Sequence, residues 1–295
     1  MRTKLLSWIL LCGVAVFFAA SAQAQQGRVA GRIVVAKVKG TVTAVEKTTN
    51  VRKELHDNDA ITQNYVVTTA LDSSVILVFS NGSTINLAQD STLAIDEFLQ
   101  DPFSSQYSMA TATEEPSTSS TKLTLTRGEL VGNVKHLHKD AGSSFSVNTP
   151  VGAAGIRGTT FRIVFRPDSS GKAFFTLSTA EGVVILTGTN SATQQVPVAT
   201  GKEVVVTVEV NVDAATGAVT ITAPPQIQQA TSIPAATQAT IAAAVQQIVQ
   251  TAAATTFTSS TTNVTTPTPT PTTPPASTPP AASTPASQTT SGDGQ

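Results

Sequence analysis

Val75-Ile76-Leu77-Val78-Phe79-Ser80-Asn81-Gly82-Ser83-Thr84-Ile85-Asn86-Leu87 reads as two strands joined by a turn. Residues 75–79 form an unbroken apolar run rich in β-branched side chains, which favour extended backbone. Residues 83–87 alternate, so Ile85 and Leu87 fall on one face and the polar side chains on the other. Between the runs, Asn81-Gly82 suits a tight hairpin because both residues tolerate positive φ.

The same grammar extends outward from this hairpin. Runs rich in Val, Ile, Thr and Phe recur at 33–38, 122–126, 161–165, 173–177, 183–187 and 204–212, with turn residues between them. Residues 168–171 and 213–217 read as longer hairpin connections. No sustained helical period occurs before residue 225. The predicted class is therefore all-β, a sandwich, barrel or β-solenoid, with the folded β-domain spanning 25–223. Residues 101–120, with Pro102, Pro116 and many Ser, Thr and acidic side chains, are predicted to be an exposed insertion too polar to pack.

Three further segments flank the β-domain. Arg2 and Lys4 precede an apolar run that ends at Ala20, and Ala22-Gln23-Ala24 supplies small residues for cleavage. Residues 1–24 thus read as a secretory signal peptide. Cys12, the one cysteine, lies inside that run behind the bulky Leu11, so lipidation is not expected and the mature chain has no thiol. Residues 224–254 are rich in Ala and Gln. Within 237–254, Ile241, Val245, Ile248 and Val249 recur at helical spacing, which predicts one amphipathic helix docked on the domain. Residues 255–295, almost entirely Thr, Pro, Ser and Ala, are expected to be a disordered tail that cannot bury enough apolar surface to offset its ordering entropy.

Charge narrows the partners. Of 18 basic residues, removal of Arg2 and Lys4 leaves 16 against 19 acidic ones, a net charge of −3. A nucleic-acid surface would need a basic excess, so no nucleic-acid partner is expected. No membrane span is expected after signal cleavage.

Two stretches carry a family resemblance. The first is the hairpin above, extended upstream through Ala70-Leu71-Asp72-Ser73-Ser74. The second is Gly128-Glu129-Leu130-Val131 followed by Phe145-Ser146-Val147-Asn148-Thr149-Pro150-Val151-Gly152-Ala153-Ala154-Gly155-Ile156-Arg157-Gly158-Thr159-Thr160-Phe161. Together they resemble the FecR protein domain, over about residues 37–210. The resemblance implies the extracytoplasmic part of iron-responsive regulators, whose cytoplasmic sigma-factor-binding domain is not expected here because four residues precede the apolar segment. The motif residues Asn81, Gly82, Thr149, Pro150, Gly152, Gly155, Ile156, Arg157, Gly158, Thr159 and Phe161 are expected to be structural. Their glycines would allow a tight connection between layers of the sheet. Arg157 would then serve buried carbonyls or a carboxylate with its fork of donors.

Catalytic chemistry finds little support. His136 and His138 would share a strand face, but a metal site needs a third ligand. His56 lies in the polar stretch Glu54-Leu55-His56-Asp57-Asn58-Asp59, and no Gly-x-Ser-x-Gly elbow offers it a nucleophile. Asp57, Asn58 and Asp59, or Asp90 and Asp96, lack the twelve-residue spacing of a calcium loop. No catalytic residue, metal or cofactor is expected. The predicted protein is an exported, non-enzymatic recognition or sensory module, periplasmic or at the cell surface, whose partner is an envelope protein or surface component. A structural envelope protein with a Thr/Pro spacer is the alternative, and a hydrolase acting through paired carboxylates is the third reading.

Overall fold

The computed structural model describes residues 27–103, 105–189, 195–213 and 218–258. The expected signal peptide and nearly all of the expected tail lie outside the described residues.

The β-domain is all-β as expected, with two facing sheets joined through one shared strand into a closed, sandwich-like barrel around one core. One sheet runs through Arg52–Glu54, Val42–Glu46, Tyr65–Thr69, Ser91–Gln100, the first half of Ser119–Asn133, Ser144–Asn148, Gly152–Ile156, Val183–Gly188 and Gln195–Ala199. The other runs through Ala60–Ile61, Ile33–Lys39, Ser74–Phe79, Thr84–Leu87, the second half of Ser119–Asn133, Thr160–Pro167, Lys172–Glu181, Lys202–Val212 and Thr231–Ser232. Among these strands pairing is antiparallel except between Ser119–Asn133 and Ser144–Asn148.

Ser119–Asn133 belongs to both sheets. It leaves the first at a register shift between Leu125 and Arg127, and Gly128, at φ +99°, turns it into the second. The hydroxyl of Ser91 pins the bend by accepting the Glu129 N–H at 3.0 Å. Alternate residues of both sheets meet in one core, with Val75, Leu77 and Phe79 from one side and Leu93, Ile95 and Phe98 from the other. The rings of Phe79 and Phe98 meet edge to face at 5.1 Å, a favourable aromatic geometry.

The hairpin over residues 75–87 forms as expected, but it is buried. Ile76 and Val78, on the outer face of Ser74–Phe79, are covered by a second cluster with Tyr107, Met109, Phe257 and Ala252. An unbroken apolar strand is the sequence mark of a strand buried on both faces. The cover corrects the expectation for residues 101–120. That segment packs, because its few large apolar side chains (Phe103, Tyr107, Met109) all turn towards the sheet. Tyr107–Ser108 also pairs antiparallel with Thr256–Phe257, so residues 255–258 belong to the fold rather than to the tail.

The boundary at 224 also moves. Ile227 is buried in the main core, and Thr231–Ser232 pairs with Lys202 and Glu203. Residues 225–233 therefore close the edge of the sandwich. The helix runs Ala235–Ala252 and starts behind Pro234. Ile241 and Ile248 bury against Val131 and Ile233 on the second sheet, as docking on the chain's own domain requires. Val249, placed in the same stripe by its spacing, stays 56% exposed at the edge of the contact. Among the described residues no helix is long and apolar enough to cross a membrane.

Candidate functional site

The second motif is the crossover between the sheets. Thr149-Pro150-Val151-Gly152 closes a tight hairpin: the Thr149 N–H donates to Gly152 O at 2.9 Å, and the Thr149 hydroxyl donates to the same carbonyl at 3.0 Å. Gly152 is required there, because a Cβ would lie 2.3 Å from Thr187 O. Gly152–Ile156 then pairs into the first sheet, Ile156 enters the core, and Thr160–Pro167 begins the second sheet with Phe161 fully buried. The turn between them is Arg157-Gly158-Thr159. Gly158 has φ +58°, and a Cβ on it would stand 3.0 Å from His136 Nδ1. Thr159 O accepts the Val134 N–H at 2.9 Å.

Two motif residues depart from the structural expectation. Gly155 has no positive φ, and a Cβ there would meet only Ile185 O at 3.7 Å, an ordinary contact. Arg157 is exposed and, among the described residues, its side chain has no hydrogen bond or ion pair. It serves no buried carbonyl. Its direction follows from the alternation along Gly152–Ile156: Ile156 points into the core, so the next side chain points out.

The first motif lies beneath the packed insertion. Asn81 is fully buried; its Nδ2 donates to Ser119 Oγ at 3.1 Å and its Oδ1 accepts the Ser83 N–H at 3.0 Å. Gly82, at φ +90°, leaves room for the Tyr107 hydroxyl, which a Cβ would approach to 2.2 Å. Burial raises the Tyr107 pKa, and the nearby charge of Glu115 adds to the shift. Its hydroxyl stays protonated and donates to Glu114 O at 2.6 Å.

Glu115 is the residue that sequence reasoning missed. Its carboxylate is buried and accepts from Ser119 Oγ at 2.6 Å, the His138 N–H at 2.6 Å and the Ser143 hydroxyl. Three donors offset the desolvation of a buried charge. Through them Glu115 ties the first motif to residues 136–138, which flank the second motif's turn. Nothing in a Glu114-Glu115 pair inside a polar stretch distinguishes the buried carboxylate from its exposed neighbour.

The histidines do not form a metal centre. His136 is exposed, while His138 approaches Glu114 Oε2 at 3.4 Å and Glu115 Oε1 at 3.7 Å. Among the described residues no three His, Cys, Asp or Glu side chains gather for a metal ion. The other candidates are held in turns or ion pairs. Asp59 Oδ2 accepts the His56 N–H at 3.0 Å, Asp57 Oδ1 accepts the Val38 N–H at 2.6 Å, and Asn58 takes a left-handed φ of 73°. Asp90 pairs with Arg127 at 2.7 Å, and Asp96 with Lys47 at 2.5 Å.

What does gather at the turn is positive charge. Several cations on the outer faces are matched, among them Lys122 with Glu97, Arg162 with Glu129, and Arg127 with Asp90. Lys135, Lys139 and Arg157 have no ion pair among the described residues. Burial lowers the pKa of Lys135. Burial also lowers that of Lys139, and the Arg157 guanidinium lowers it further. Lys139 and Arg157 flank a trough of about 370 Å³ on the outer face of the first sheet, lined also by Ser146, Gly155, Ile185 and Thr187. The bare Gly155 leaves the trough open, which accounts for a glycine that neither φ nor packing demands.

Residues 65–184 match the family described as FecR protein, the same family that the two motifs resemble. Among solved structures, two crystal structures from Parabacteroides distasonis, described as an anti-sigma factor, are similar at 12% and 13% identity with TM-scores of 0.34 and 0.33. Each comparison covers 56% of this chain and 60% of the other, so this chain spans about 60% of their length. No curated protein matches.

Proposed function

We propose that this chain, with its FecR domain over residues 65–184, is a non-enzymatic regulatory module that recognises another component of the cell envelope through the outward face of the crossover turn. The observation that carries this reading is Arg157. It sits in the motif's tightest connection, yet it points away from the fold and stands unpaired beside Lys139 at the rim of a trough. Two neighbouring cations without a counterion carry an electrostatic cost that an acidic partner relieves. The family match supports a regulatory role rather than a catalytic one.

The test separates the fold from the surface. Arg157→Ala should leave the denaturant midpoint within about 0.5 kcal/mol of wild type, as exposed substitutions do. The same variant should lose the partner that the wild-type protein retains from native envelope, and raised salt should weaken that capture. A variant that unfolds early and still binds would overturn the reading.

The reading also requires export, and the cationic start, apolar run and Ala22-Gln23-Ala24 favour it. N-terminal sequencing of the protein recovered from the envelope or medium should begin at Gln25. A mature pool that retains Met1 would contradict processing.

A further inference from the structure

On the opposite side of the same turn, a cleft runs between the docked helix and the second sheet. Its wider part, about 420 Å³, is walled mainly by Ile233, Ile241, Val245 and Ala180. Its narrower part, about 240 Å³, is lined by Lys135, His136, Gly158 and Thr159. Thr160 and Glu181 border both parts, so the two adjoin at these residues.

The chemistry changes in order along this cleft. The helix end is mainly apolar, and its one amide, Gln238, donates its Nε2–H to Ile233 O at 3.1 Å. At the waist, among the described residues, the Glu181 carboxylate is engaged by the Thr160 hydroxyl alone, at a long 3.4 Å. At the far end the side chain of Lys135 is half-buried and, among the described residues, unpaired, and burial lowers its pKa. Beside it the Thr159 hydroxyl is buried with no hydrogen-bond partner. A buried polar group left without a partner costs about 1–3 kcal/mol. A desolvated cation and an orphan hydroxyl on one wall therefore mark a place where an anion would satisfy both.

We propose that this cleft binds the free C-terminus of an apolar peptide. The terminal carboxylate lies against Lys135, His136 and the Thr159 hydroxyl. A backbone N–H of the peptide donates to Glu181. The apolar side chains rest on Ile241, Val245 and Ile233. Glu181 decides between this ligand and a fatty acid, which carries the same carboxylate and apolar chain. A fatty acid would set methylenes against the Glu181 carboxylate and leave its acceptors unfilled, whereas a peptide presents a donor there. An internal peptide segment would bring the donor but no charge for Lys135. The cleft is separate from the Arg157 trough, so either site can fail without the other.

The probe is the pentapeptide Ala-Ala-Val-Val-Phe, labelled at its N-terminus and titrated with the mature protein by fluorescence anisotropy. The free acid should bind, and its C-terminal amide should bind at least about tenfold more weakly. Lys135→Gln should abolish that preference. Ala242→Trp, on an exposed helix position at the cleft wall, should block binding while leaving the thermal midpoint unchanged. Dodecanoate should not displace the peptide. Equal binding of acid and amide, wild-type affinity in Ala242→Trp, displacement by dodecanoate, or no binding at about 1 mM peptide would each overturn the proposal.

Discussion

Gly128→Val should cost more than about 3 kcal/mol, enough to leave little folded protein in a domain of ordinary stability. The strand Ser119–Asn133 changes sheets at this residue, and the bend needs φ +99°, which a β-branched side chain resists. Space is refused as well. A Cβ would fall 2.0 Å from Ser91 Oγ and 2.4 Å from Ser91 Cα, and the second of these is backbone that cannot swing aside. Moving Ser91 would break the hydroxyl contact to the Glu129 N–H and pull at the register of Ser91–Gln100 against two neighbouring strands. Strain and clash therefore add at one position. The control is Gly155→Ala, where φ is ordinary and the new methyl meets only one carbonyl oxygen at 3.7 Å. It should be neutral or slightly stabilising, by up to about 1 kcal/mol, because alanine has fewer unfolded conformations to lose. Denaturant midpoints of the two variants decide the matter. A Gly128→Val protein within 1 kcal/mol of wild type would mean that the sheets can be joined without this bend.

The contrast between those glycines shows what the sequence could and could not reveal. The order Gly152, Gly155, Gly158 reads as one tight connection, and the structure does place a crossover there. Yet only Gly152 and Gly158 are demanded by backbone or packing, and nothing in a one-dimensional string separates them from Gly155. The direction of Arg157 is a question of parity. It depends on which residues of Gly152–Ile156 face the core, and in Gly-Ala-Ala-Gly-Ile small side chains hide the alternation.

The strands and the helix were legible because their signals are local. Ser83 to Leu87 alternates over five residues, and the helical stripe recurs over a single segment. The cover over Ile76 and Val78 was not legible, because it is assembled from Tyr107, Met109, Ala252 and Phe257, two regions about 150 residues apart. Each region is dominated by Thr, Ser and Ala, so an average over composition dilutes the one or two large side chains that bury surface. The unbroken apolar run at 75–79 did announce that both faces of the strand would be covered. It could not say by what.

Ending the chain at Ala254 should therefore lower stability by roughly 3–5 kcal/mol, the usual cost of losing a fully buried phenylalanine. For a domain of this size that corresponds to a fall of roughly 10 °C in the thermal midpoint. Phe257 is fully buried against the outer face of Ile33–Lys39 and Ser74–Phe79, where Val34, Ile76 and Val78 meet it. Thr256–Phe257 supplies the strand partner of Tyr107–Ser108, and Thr255 O accepts the Met109 N–H at 3.2 Å. Ending the chain at Thr258 keeps all of this, and residues 259–295 have the Thr, Pro and Ser composition that buries little. That shorter deletion should leave the midpoint where it was. Phe257→Ala in the full chain should reproduce the cost of the longer one, which would assign the loss to one side chain rather than to chain length. If the chain ending at Ala254 proves as stable as the full chain, the segment around Tyr107 must hold without its strand partner. The cost should also reach the candidate site. The segment that Phe257 clamps carries Tyr107 over Gly82 and places Glu115, whose carboxylate holds the backbone of His138 beside the crossover turn. Loss of Phe257 should therefore loosen residues 135–138, seen as faster amide exchange there, before the rest of the sandwich gives way.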